Sequence, residues 1–210
     1  YEISEFIGLV GHNYGQIKNI QINLKECNDN PNLGIYFITA YNYNLIENFT
    51  INLENNLYVD GNLGMVVLAN SGIVQNGYLY GKDIIVTNSR STNKNIGGIV
   101  CENRTNGSIE NVYNLTNIKL IEEKLTDSTL GNIVSINNAN SEIRNCYSSG
   151  TVEKISKTIG PVIGNNYQGG ITERIYYFFG ETKNNTYNQK TTPLALWDTT
   201  FQNQVLNTDN

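Results

Sequence analysis

Residues 96–113 read IGGIVCENRTNGSIENVY, an apolar run with a Gly pair, then a polar turn, then a second apolar run. Ile, Val and Tyr favour extended strands, while the intervening Arg104-Thr-Asn-Gly107 contains residues that accept positive φ. The stretch therefore reads as two short strands joined by a turn, and it recurs along the chain. Its first half aligns with IGLVGHN at Ile7, LGIYFITA at Leu33, LGMVVLAN at Leu63, LGNIVSIN at Leu130 and IGPVIGNN at Ile159. From the second copy onward the first Gly falls at Gly34, Gly64, Gly97, Gly131 and Gly160. Its second half aligns with Ile17-Lys-Asn-Ile20, Ile46-Glu-Asn-Phe49, Val74-Gln-Asn-Gly77, Ile143-Arg-Asn-Cys146 and the degenerate Thr172-Glu-Arg-Ile175.

A repeat of about 30 residues without helical periodicity cannot bury a core alone, but a stack of such repeats can. The expected fold is all-β: a right-handed parallel β-helix, or solenoid, of about six coils across residues 1–180. Residues 181–210 then form a polar link and a capping segment, or the start of a linker. Leu9, Val66, Ile99, Ile133 and Val162 are expected to line the interior in one strand, and Ile17, Ile46, Val74, Ile109 and Ile143 in the next. Lys18, Glu47, Gln75, Glu110, Arg144 and Glu173 then point outward, one above another. Asn19, Asn48, Asn76, Asn111 and Asn145, with Arg174 last, are placed where the strand bends into the next face. Asn tolerates the left-handed conformation there, and its amide can bond the next coil's Asn. Connections 26–32, 55–62, 82–95 and 120–129 vary in length, as loops that carry binding often do, and residues 118–128 leave room for a helical turn.

Two positions after each Asn stand Gln21, Thr50, Tyr78, Tyr113, Tyr147 and Tyr176. By alternation the four Tyr face outward. They form either an aromatic stack covering coil edges or a rigid strip for a glycan or protein partner. Tyr78, Tyr113, Tyr147 and Tyr176 are accordingly the candidate binding residues.

Composition narrows the function classes. The net charge is −5 with 16% charged residues, which argues against a nucleic-acid surface. No stretch has the length of a membrane span. Of 36 Asn in the chain, five open N-x-S/T sequons, at Asn48, Asn103, Asn106, Asn114 and Asn184. Cys27, Cys101 and Cys146 form no C-x-x-C pair and there is one His, so no metal site and no cofactor are expected. Cys101 and Cys146 lie in apolar strand contexts and read as buried thiols, with one disulfide as the alternative. His12 falls in a GHN segment that reads as a turn, with Glu102 at its place in the fourth copy. The Asp residues lie in expected loops or the tail, Glu122-Glu123 adjoins Lys124, and no HExxH is present, so no catalytic constellation emerges.

Gly8-Leu-Val-Gly-His-Asn-Tyr-Gly-Gln-Ile-Lys-Asn19, together with IGGIVCENRTNGSIENVY and SEIRNCYSSGTV, resembles the GLUG repeat of large bacterial surface proteins. Those proteins include filamentous-haemagglutinin-like adhesins and the region ahead of the zinc domain in IgA1-specific metallopeptidases. The resemblance covers residues 7–179; copies two and three depart from it, with YFITAYNYN and VVLANSG where the pattern has a Gly-rich turn. It implies a secreted or cell-surface bacterial location, and the start at Tyr1 reads as a cut piece of a longer polypeptide. The leading expectation is a non-catalytic scaffold or adhesion module, monomeric, binding a host protein or glycan, without nucleic-acid binding or membrane insertion. The alternative is an accessory substrate-docking region of a secreted zinc metallopeptidase, and a third reading is a polysaccharide lyase-type β-helix.

Overall fold

A computed structural model describes residues 8–25, 34–87, 93–121, 128–152, 158–177 and 189–190. Within them every strand pairing is parallel. Each complete coil visits four faces in turn. The fourth coil shows the order: Asn95–Gly97, Val100–Asn103, Ser108–Asn114 and Ile118–Leu120. Strands that share a face stack coil upon coil, so the chain is a parallel β-helix.

The second face holds Val10–Asn13, Thr39–Asn42, Val67–Asn70, Val100–Asn103, Val134–Asn137 and Ile163–Asn166. The third holds Gln16–Leu24, Leu45–Leu53, Ile73–Gly81, Ser108–Asn114, Glu142–Ser148 and Ile171–Tyr177. Gln189–Lys190, inside the stretch expected to be a link, adds a seventh strand there. The first face has Leu63–Gly64, Asn95–Gly97, Thr129–Gly131 and Thr158–Gly160. The fourth has Leu57–Val59, Ile84–Val86 and Ile118–Leu120. Segments expected to be free loops between residues 55 and 120 thus contribute a fourth sheet, and residues 118–120 are strand rather than helix.

The inward columns lie where alternation puts them. Ile46, Val74, Ile109 and Ile143 are in register and fully buried. So are Val66, Ile99, Ile133 and Val162. Each such side chain stabilises the fold by about 1.5–3 kcal/mol. Leu9 departs: it is 50% exposed, because the described strands place a neighbour on only one side of Val10–Asn13. Packing also trades volume between coils. Gly77 occupies the column of Ile20, Phe49, Val112, Cys146 and Ile175, and the Phe49 ring fills the space its side chain would take.

The Gly column has a steric cause. Gly64, Gly97 and Gly131 stack at the corner between the first and second faces. A Cβ on Gly97 would come within 1.7 Å of the Val100 carbonyl oxygen, and one on Gly131 within 1.9 Å of that of Val134. Gly34 does not belong to this column. Ile35 bridges to Leu63, which puts Tyr36 opposite Gly64. The aligned segment of the second copy is therefore shifted, although the rest of that coil stacks in register.

Asn19, Asn48, Asn76, Asn111, Asn145 and Arg174 all have positive φ, between 51° and 58°. They sit within the third-face strands rather than at a bend between faces. Each works as a left-handed insertion that resets the alternation: Ile46 points in, Glu47 and Asn48 point out, and Phe49 points in again. The amide ladder forms between coils, with Asn48 donating to Asn19 (3.1 Å), Asn111 to Asn76 (3.0 Å) and Asn145 to Asn111 (3.0 Å). Arg174 donates its Nε–H to Asn145 at the end of the column.

Candidate binding surface

A second Asn column closes the second face and runs through all six coils. Asn13 donates its amide to Asn42 (2.7 Å), Asn42 to Asn70 (2.8 Å) and Asn70 to Asn103 (2.8 Å). Asn103 then donates to Asn137 (2.8 Å) and Asn137 to Asn166 (2.7 Å). All six are buried. Their amides also reach backbone carbonyls, as Asn103 does toward Gly107 in the following turn (3.2 Å) and Glu142 in the next coil (3.1 Å). This ladder fixes the corner between the second and third faces, where surface residues project. Its signal was present in the sequence as the Asn ending five of the six aligned first-half segments and following closely in the sixth. Two sequon Asn, Asn103 and Asn114, are fully buried in such bonds and unsuited to glycosylation.

On the third face the structure brings Tyr78, Tyr113, Tyr147 and Tyr176 into one register column, beyond Gln21 and Thr50. Tyr78 and Tyr113 stack with parallel rings, centroids 4.9 Å apart, and Tyr78 also tilts against Tyr80 at 5.6 Å. The members are not equally accessible. Tyr147 is only 3% exposed, while Tyr78, Tyr113 and Tyr176 are half-buried. Burial pushes the Tyr113 hydroxyl up to about 12, with the neighbouring Tyr78 adding to it. Burial likewise pushes Tyr147 to about 12, against an opposing hydrogen bond from the Ser149 side chain.

A more exposed aromatic group, not anticipated from the repeat columns, lies over the buried Asn ladder on the first two coils. His12 is in the strand Val10–Asn13, not in a turn, and pairs in register with Tyr41. Their rings stack at 4.8 Å, and those of Tyr14 and Tyr43 stack at 4.9 Å within 5° of parallel. The two stacks stand side by side, with His12 and Tyr43 centroids 6.1 Å apart. Tyr14 is 71% exposed and Tyr43 44%. From the fourth coil the Arg104 guanidinium carbon reaches to 5.6 Å from the Tyr41 ring centre. Arg104 Nε–H also donates to Glu102 (3.0 Å), whose other oxygen accepts from Asn138 (2.8 Å). The sequence clue was the H-N-Y and Y-N-Y spacing of copies one and two, in which every second side chain shares a face.

Several carboxylates on the described surface are tied to partners. Glu47 lies 3.0 Å from Lys18 and accepts from Gln75, and those hydrogen bonds hold its carboxyl below the usual range. Burial alone would raise Asp83, but Lys119 and Asn117 outweigh it and hold it low. Arg144 lies between Glu142 (3.2 Å) and Glu173 (3.6 Å). Inside, Lys94 Nζ donates to Asp60 and to the Thr87 carbonyl, and the whole pair is buried. Among the described residues no three His, Cys, Asp or Glu side chains gather as a metal site. Cys101 and Cys146 are buried free thiols, pushed to about 12 by burial. No helix of the described residues is long and apolar enough to cross a membrane. Cys27, Trp197 and the expected capping residues 194–206 lie outside the described residues.

Compared with known protein families and with curated proteins, the chain matches none.

Proposed function

We propose that this chain is a non-catalytic scaffold and adhesion module of a secreted or cell-surface bacterial protein, built from GLUG-like repeats and binding a host protein or glycan. The observation that carries the reading is the pair of parallel ring stacks, His12 over Tyr41 and Tyr14 over Tyr43, exposed on a rod whose strands are locked in register by two Asn ladders. Rigid aromatic side chains lose little entropy on contact and supply large binding area, which suits a recognition surface.

The test is binding of the fluorescently labelled chain to arrays of mammalian glycans and extracellular-matrix proteins, with Tyr14→Ala/Tyr43→Ala alongside. Saturable binding that the double substitution weakens supports the module. Cleavage of an arrayed polysaccharide by the purified chain would overturn it.

A further inference from the structure

We infer that the corner of the third coil is a subsite for one neutral pyranose residue of a glycan, stacked on Tyr43 and hydrogen-bonded by Arg104 and Glu102. The inference rests on the adhesion reading above and names the chemical class of its ligand. Its basis is an interruption in a regular column. Tyr14, Tyr43, Ser71 and Arg104 follow one another at this corner, and from the second coil onward each takes its backbone bond from the ladder Asn one coil before. Tyr43 N–H donates to the Asn13 carbonyl (2.9 Å), Ser71 to Asn42 (2.8 Å) and Arg104 to Asn70 (2.7 Å). The neighbouring column reads His12, Tyr41, Ala69 and Glu102. Coils one and two thus carry rings, coil three carries Ala69 and Ser71, and coil four carries a charged pair.

One face of Tyr43 is covered by Tyr14 at 4.9 Å, and on the side of the next coil the equivalent position is Ser71. Coils two and four are separated by roughly 9.6 Å, twice the strand spacing. A six-membered ring lying above Ser71 would sit one coil rise from Tyr43, the spacing the stacked tyrosines themselves adopt. The C–H face of a pyranose fits against the electron-rich ring face. Its rim hydroxyls both donate and accept, which calls for a donor and an acceptor side by side. Arg104 and Glu102 supply them, and Arg104 is already drawn back across Ala69 toward Tyr41. A neutral sugar is favoured over an acidic one because Glu102 satisfies the Arg104 charge at 3.0 Å. A sugar carboxylate placed here would face that same carboxylate.

The experiment is affinity electrophoresis of the chain through gels containing galactomannan, mixed-linkage β-glucan, soluble starch or polygalacturonate. Three variants run alongside: Tyr43→Ala, Ser71→Tyr and Tyr113→Ser. Ser71→Tyr fills the gap with a ring and is expected to keep or raise the melting temperature, so its effect on binding is separable from folding. The expected result is retardation by at least one neutral polysaccharide. Tyr43→Ala and Ser71→Tyr should weaken it roughly tenfold, the scale of one stacked ring with its hydrogen bonds. Retardation by no neutral polysaccharide, or by polygalacturonate alone, overturns the inference. Retardation that survives both corner variants but is lost in Tyr113→Ser also overturns it, while leaving the adhesion reading in place with its site on the third face.

Discussion

Replacing Asn103 with Ala removes the central rung of the buried ladder, and its cost can be worked from the bonds it makes. Asn103 accepts from Asn70 (2.8 Å), and its amide is shared among Asn137 (2.8 Å), Glu142 (3.1 Å) and Gly107 (3.2 Å). At about 1 kcal/mol net for each bond, with buried partners left short of a donor or acceptor, the expected loss is about 4 kcal/mol. The control is Asn111 in the outer ladder, which makes two amide bonds of 3.0 Å in a part-buried setting. Asn111→Gly keeps the left-handed backbone at φ 53° and should cost about 1 kcal/mol. Asn111→Ala should add a further 1–2 kcal/mol or so, because a Cβ is disfavoured in that conformation. Asn103→Asp sharpens the comparison: at neutral pH its carboxylate would face three carbonyl-type acceptors. Its loss should exceed that of Asn103→Ala and shrink as the pH falls and the carboxyl gains a proton. Equilibrium urea unfolding followed by far-ultraviolet circular dichroism measures all four. An Asn103→Ala loss below about 1 kcal/mol, or no larger than that of Asn111→Gly, would refute the claim that buried ladder bonds are worth their usual net energy here.

Three further outcomes are expected. Gly97→Ala should prevent folding or cost several kcal/mol, since its Cβ meets the Val100 carbonyl, whereas Gly11→Ala, with nothing within 4 Å, should be neutral to about 0.5 kcal/mol; thermal melts of the two compare them. Lys94→Met should cost about 3–5 kcal/mol by leaving the buried Asp60 carboxylate without its ammonium partner, and adding Asp60→Asn should restore part of that stability in urea titrations. In alkaline absorbance titration, Tyr113 and Tyr147 should ionise late, near 12 rather than 10. Because their folded values are raised, the stability they contribute is present below pH 10 and is lost as the pH climbs toward 12; Tyr113→Phe/Tyr147→Phe should remove that slope.

What the sequence disclosed, and what it withheld, follows from how local each constraint is. The inward columns and the left-handed Asn column were legible because period-two alternation and positive φ are properties of single residues in their own strand. Gly34 matches the column in letter only. The corner clash that requires Gly lies two residues further on, where the second coil has Tyr36 instead. The Asn that ends the first-half segments marks the ladder from Asn13 to Asn166 in the sequence, but its burial is a relation between coils, visible only once the register is known. The same holds for the ring stacks. His12 and Tyr14 are 29 residues from the rings they meet, and the spacing becomes a contact only when one coil is laid on the next. Tyr147 follows the same logic, sharing the outward column yet being covered, which alternation alone does not reveal.

The central claim is that coils stack in parallel and in register, and distances along one outward column test it most directly. Spin labels at Lys18 paired with Glu110, Arg144 or Glu173, in a chain with its three native cysteines replaced, span three, four and five coil steps. Pulsed electron paramagnetic resonance should give backbone separations near 14, 19 and 24 Å, rising by about 4.8 Å per coil whatever the number of residues between the labels. Separations that fail to rise step by step, or that track sequence distance instead of coil number, would contradict the stacked β-helix.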